Sequence, residues 1–154
     1  MKEGVTGFWS QKGGSEPPRL DFDQIKRDFH TIVREANFSV EEIQEAQYPR
    51  NHHRVLLQNK KGDRETILIN EHYPIVAFAE KLSQSDLVAN VQFKDHEELK
   101  MAIESNGGYE VASSCFLKEY PHVDTLKNLN QSELDQVNYW KPDRIGDVLF
   151  NDWD

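Results

Sequence analysis

Apolar positions recur at helical spacing at Phe22, Ile25, Phe29, Ile32, Val33 and Ala36, while Asp23, Lys26, Arg27 and Glu35 fall on the opposite side. That stripe predicts an amphipathic helix over 22–36 with Asp21 as its cap. After Asn37 the period changes. Residues 40–48 fit neither template and end at Pro49. The runs 54–59 and 64–70 flank Lys60, Lys61, Gly62 and Asp63, whose Lys-Gly-Asp is a turn signal, so they predict a β-hairpin. Beyond Pro74, the apolar run 75–79 predicts a further strand and 88–93 another. Asp95 followed by Glu98 has the spacing of a capping box and predicts a helix through Leu99, Met101, Ala102 and Ile103. Asn106, Gly107 and Gly108 stop it, and 109–112 reads as a last short strand. From Pro121 the pattern turns helical again. Asn130 or Ser132 caps a short helix holding Leu134, Val137 and Tyr139. Pro142 is expected to open a final one, with Asp143 in its first turn. Ile145, Val148 and Leu149 then share a face, and Trp153 follows four residues after Leu149.

Residues 1–20 hold Gly4, Gly7, Gly13, Gly14, Pro17 and Pro18 and read as an irregular N-terminal arm, in which Phe8 and Trp9 predict an anchoring contact. Residues 21–154 contain no repeat and no long linker. They predict one α+β domain: a mainly antiparallel sheet of about four to six strands, an N-terminal helix, one mid-chain helix and short C-terminal helices.

Composition narrows the class. A chain of 154 residues with 37% hydrophobic and 10% aromatic residues can bury a core without disulfides. No apolar run approaches the roughly 18–20 residues of a membrane span. No continuous apolar stretch follows Lys2, which argues against a secretory signal. The single cysteine, Cys115, makes no intrachain disulfide, reads as a small buried hydrophobe and is consistent with a reduced cytoplasmic setting. The net charge of −9 is uneven: residues 1–80 carry 11 Lys/Arg against 13 Asp/Glu, and residues 81–154 carry 7 against 14. Such a field repels nucleic acid and anionic membranes, keeps the protein soluble and would speed its encounter with a basic protein.

No catalytic constellation emerges. His52 and His53 are adjacent, so on a strand they point to opposite faces; His72 lies within reach of one of them across the hairpin. Two histidines do not make a catalytic zinc site, and no metal or cofactor is expected. Gly-x-Gly-x-x-Gly, Walker-type and His-Glu-x-x-His patterns are absent. Arg50, Arg54, Lys60, Lys61 and Arg64 cluster around the hairpin with few aromatics between them, and read as a charged, exposed hairpin. The C-terminal segment carries the clearest binding composition. Asp143, Asp147, Asp152 and Asp154 surround Trp140, Phe150 and Trp153. Acid around aromatics suits a basic partner. Trp140 and Ile145 are expected to pack inward, which leaves Asp143, Asp147, Asp152, Trp153 and Asp154 as the candidate contact residues.

The ending Trp140-Lys-Pro-x-x-Ile-Gly-Asp-x-x-Phe-Asn-x-Trp-Asp154 resembles the close of a group of small cytosolic proteins of Bacillus-type bacteria. The stretches 132–135 (Ser-Glu-Leu-Asp) and 71–74 (Glu-His-Tyr-Pro) are similar to that group too. The resemblance carries no activity with it. Some small acidic proteins of such bacteria are immunity proteins that neutralise basic nuclease toxins, an analogy of size, charge and setting. The expectation is a non-enzymatic protein-binding module, of the immunity or antitoxin type, that engages a basic toxin-like partner. The alternative is a small-molecule-binding protein or enzyme with its site near His52, His53 and His72.

Overall fold

A computed structural model describes residues 1–80 and 91–154. The first helix, α1 (Phe22–Glu35), forms where the apolar stripe lies, and buries Ile25, Phe29, Ile32 and Val33. The Asp21 carboxylate accepts from the Asp23 and Gln24 amides, meeting two donors that have no partner within the helix. At the other end Asn37 adopts a left-handed conformation (φ 64°) and donates its N–H to the Arg34 carbonyl. Asparagine tolerates that conformation, so the chain reverses there from helix to strand.

Four strands follow: β1 (Phe38–Gln44), β2 (His52–Asn59), β3 (Arg64–Asn70) and β4 (Ile75–Ala79). Each pairs antiparallel with the next. In the hairpin His52 faces Asn70, Arg54 faces Leu68 and Gln58 faces Arg64. The stretch that fits neither template is therefore a strand as far as Gln44, bulged between Val40 and Glu42. The short strand β5 (Phe93–Lys94) extends the order to β1-β2-β3-β4-β5. The predicted strand over 88–93 lies outside the described residues for its first three positions. After α2 (Glu97–Asn106), β6 (Glu110–Val111) pairs parallel with β4. The fold is α+β with a mainly antiparallel sheet, as its local patterns predict.

Both faces of the sheet are covered. Val55, Leu57, Ile67, Ile69, Val76 and Phe78 pack beneath α1 and α2. Leu68, Ala77 and Ala79 pack on the other side, against Val5 of the arm and the C-terminal helices. A strand buried on both faces loses its alternation, which is why β3 and β4 read as nearly continuous apolar runs.

The last third contains α3 (Ser114–Lys118), α4 (Val123–Leu126), α5 (Gln131–Trp140) and α6 (Ile145–Leu149). Helix α3 lies where no helix is predicted; Ser113 caps it by accepting from the Phe116 amide. Cys115 on it is exposed, not buried as expected. Asp95 does not cap α2. That role falls to His96, whose Nδ1 accepts from the Leu99 amide at 3.2 Å. Asp95 instead accepts from the Ser114 amide and hydroxyl, and these two bonds hold its carboxyl below the usual range. Nor does Pro142 open α6. The N-cap is Arg144, so Asp143 precedes the helix and Asp147 is its first-turn acid.

Candidate functional site

Helix α5 begins with a full capping box: Asn130 accepts from the Glu133 amide, and the Glu133 carboxylate accepts from the Asn130 amide. It runs on through Tyr139 and Trp140 and ends at Lys141, which is left-handed (φ 49°). The two aromatics therefore occupy the last turn. Tyr139 is 75% exposed and Trp140 40% exposed. Their rings meet edge to face with centroids 5.3 Å apart. The Trp140 indole lies parallel to that of Trp153, 6.4 Å away, and donates Nε1–H to Gln136. Trp153 in turn is 7% exposed and packs against Phe8. Trp140, expected to pack inward, is instead the partly open face, and Trp153 is the buried support beneath it.

The C-terminal acids divide as well. Asp147 is held in a two-point ion pair by Arg144, at 2.6 and 3.1 Å. The same guanidinium donates to the Val91 carbonyl and lies 4.8 Å over the Phe93 ring, so its first task is to fasten α6 to β5. Asp152 acts on the Arg50 guanidinium. Asp143 and Asp154 are the exposed pair.

The histidines lie in a sealed polar hub between the sheet, the arm and the C-terminal segment. Asn51 and Asn70 each donate to the carbonyls of Val5 and Leu149. Asn151 donates to the carbonyls of Thr6 and Val148, while its own amide donates to Asn51 Oδ1. Glu133, fully buried, accepts from the Gly4 and Thr6 amides and from the Thr6 hydroxyl. These bonds draw the glycine-rich arm into the body of the protein.

His52 projects into this hub with its ring edge-on to Phe150; His53 projects to the other face, 4.8 Å from the Phe22 ring. Burial pushes both toward the neutral form, His52 well below the usual value and His53 down to about 4. His72 is buried too, with Nδ1 at 2.8 Å from the Pro18 carbonyl. Among the described residues no group of three or more His, Cys, Asp or Glu is placed to hold a metal ion. Arg54, read from the sequence as part of an exposed basic cluster, is only 1% exposed and points its Nε at His52.

A groove of about 1080 Å³ opens beside the hairpin turn, walled by Arg34, Lys60, Lys61, Glu65, His96 and Glu98 among others. Two of its charges are met by neighbours outside the wall. Arg64 sits 3.3 Å from Glu41, and the Glu65 carboxylate lies 2.9 Å from Lys94 Nζ. Glu65 Oε2 lacks a hydrogen bond of good geometry, but that ion pair meets its charge.

The chain matches no protein-family model, no curated protein and no solved structure. Among the described residues, no helix is long and apolar enough to cross a membrane.

Proposed function

We propose that this protein is a non-enzymatic binding module that docks a basic protein partner on the C-terminal end of α5. The supporting observation is the exposed pair Tyr139 and Trp140, fixed from below by Trp153. Aromatics held rigidly at a surface lose little further entropy on binding and dominate interface energetics. They belong to the half of the chain with 7 Lys/Arg against 14 Asp/Glu. Acidic groups would steer a cationic partner toward the aromatics, and Asp143 and Asp154 are the exposed candidates nearest in sequence. An immunity-type protein that neutralises a basic nuclease-like toxin in the cytoplasm fits this chemistry.

Capture from the native host at low and moderate salt tests the reading, with wild type beside Tyr139→Ala and Tyr139→Glu. Tyr139 is exposed enough for both variants to fold. Recovery of a basic protein that Tyr139→Ala reduces at both salts is the expected result. Recovery of none, or equal recovery by all three chains, would overturn it.

The alternative of a small-molecule site around His52, His53 and His72 finds little support in their geometry. All three are buried, and their ring nitrogens are largely committed to neighbours within the fold.

A further inference from the structure

His52 and His53 are each wired so that a second ring proton has nowhere to go. The guanidinium Nε of Arg54 is an obligatory donor, and it faces His52 Nε2 at 3.4 Å. That nitrogen must accept, so the proton sits on Nδ1, 3.2 Å from Asn51 Oδ1. The Ala46 amide is equally obligatory, and it donates to His53 Nδ1 at 2.8 Å. The proton of His53 therefore sits on Nε2, which has no hydrogen-bond partner among the described residues. Protonating either ring turns an acceptor into a donor aimed at another donor. At His52 it also adds a cation beside Arg54.

Charges around the pair do not relieve this. Arg54 and Arg50, from the strand and the loop before it, both oppose a charge on His52, as does His53. A backbone hydrogen bond with Asn151 is the one influence in its favour. His72, across from His53 and beside Glu71, opposes a charge on His53.

The bonds lead outward from His52 to both chain ends. Asn51 holds the carbonyls of Val5 and Leu149 and receives the Asn151 amide; Asn151 Oδ1 receives the Trp153 amide. Trp153 then supports Trp140.

We propose that His52 makes the seam between the sheet and the two chain ends acid-labile, so that proton uptake releases the arm and the C-terminal segment. Release takes Trp153 from beneath Trp140 and dismantles the aromatic face; this consequence alone rests on the docking reading above. The fold closes over a neutral His52, and an opened seam lets it bind a proton at the ordinary value near 6.5. At pH 5 the opening equilibrium of the seam, which frees His52, rises by about 30-fold over pH 8, and that of a wider unfolding that also frees His53 by about 1,000-fold. This window lies above the ordinary carboxylate range.

Hydrogen exchange of the free full-length chain reads the effect without any partner, so a failure to bind one leaves this test unaffected. The amides of Asn151, Trp153 and Thr6 report on the seam; those of Phe29 and Ile32 in α1 report on the helical layer. The expected result is a loss of seam protection of about 30-fold or more between pH 8 and pH 5, after correction for intrinsic exchange. Phe29 and Ile32 should stay better protected than the seam at both pH values, as a local opening of the seam requires. His52→Gln keeps an acceptor for Arg54 and removes the titration, so the seam loses about 30-fold of its pH response. Unchanged seam protection in the wild type, or seam amides no less protected than Phe29 and Ile32 at pH 5, would overturn the proposal even if the variant does not fold.

Discussion

Glu133 is the residue whose removal should cost most for its size. It is fully buried on α5 and lies 127 positions from Thr6, yet it binds the arm through the Gly4 amide at 2.7 Å and the Thr6 amide at 3.0 Å. The Thr6 hydroxyl and the Asn130 amide complete its four donors. A hydrogen bond to an ionised acceptor contributes about 1.5–3 kcal/mol, and the four share one carboxylate, so they do not add. Glu133→Ala removes all four at once and strands two buried amide donors and a part-buried one. The expected loss is about 4 kcal/mol, near the top of the range for single substitutions. Glu133→Gln keeps the volume and one oxygen but turns an NH₂ toward donors, for a loss of about 2–3 kcal/mol. Urea titration followed by circular dichroism measures both, provided the slope with denaturant stays that of the wild type. Thr6→Val removes the hydroxyl alone and should cost about 1 kcal/mol, with much of that cost absent in a Glu133→Ala background. A loss below 1 kcal/mol in Glu133→Ala, with the arm still resistant to proteolysis, would refute the view that this carboxylate holds the arm.

Other consequences follow from single contacts. His53 has its folded pKa depressed to about 4 from 6.5, so the stability it contributes is complete above about pH 6.5 and is lost as pH falls toward 4. That shift is worth about 3 kcal/mol across the window; His53→Asn, which keeps an acceptor for the Ala46 amide, should flatten the pH dependence of urea midpoints, and an unchanged slope would count against it. Gly146→Ala would drive a methyl into the Phe93 ring, so a loss of about 2–3 kcal/mol is expected, with partial rescue by Phe93→Leu; a neutral effect would contradict the close packing of α6 on β5.

Which parts of this fold a reader of the sequence can find depends on how far apart the cooperating residues lie. Helix α1 and the hairpin were legible because their causes are local. Asp21, an apolar stripe and Asn37 specify the helix within 17 positions, and two apolar runs around a Lys-Gly-Asp turn specify the register from His52 to Asn70. The cap of α2 lies one residue beyond Asp95, which has the right spacing but finds Ser114 from another element. Pro142 misled in the same manner: it permits a helix start, and Arg144, tied to Val91 and Asp147, is where packing sets it.

The candidate site was half legible for the same physical reason. An acidic, aromatic C-terminal third can be read from composition, yet the side chain that opens to solvent depends on which tryptophan the arm covers. Phe8 reaches Trp153, 145 positions away, and no local pattern encodes that contact. Once Trp153 is claimed by the arm, Trp140 must lie over it and Tyr139 beyond it, because α5 does not end until Lys141. Adjacent histidines tell a similar story. Their alternation across a strand follows from β geometry, but burial of both requires a sheet covered on each face. On a half-exposed sheet one of the two would titrate freely in water, and only one would resist protonation. Here the arm and α6 close over His52 while α1 closes over His53, so one strand carries acid sensitivity to both layers of the protein.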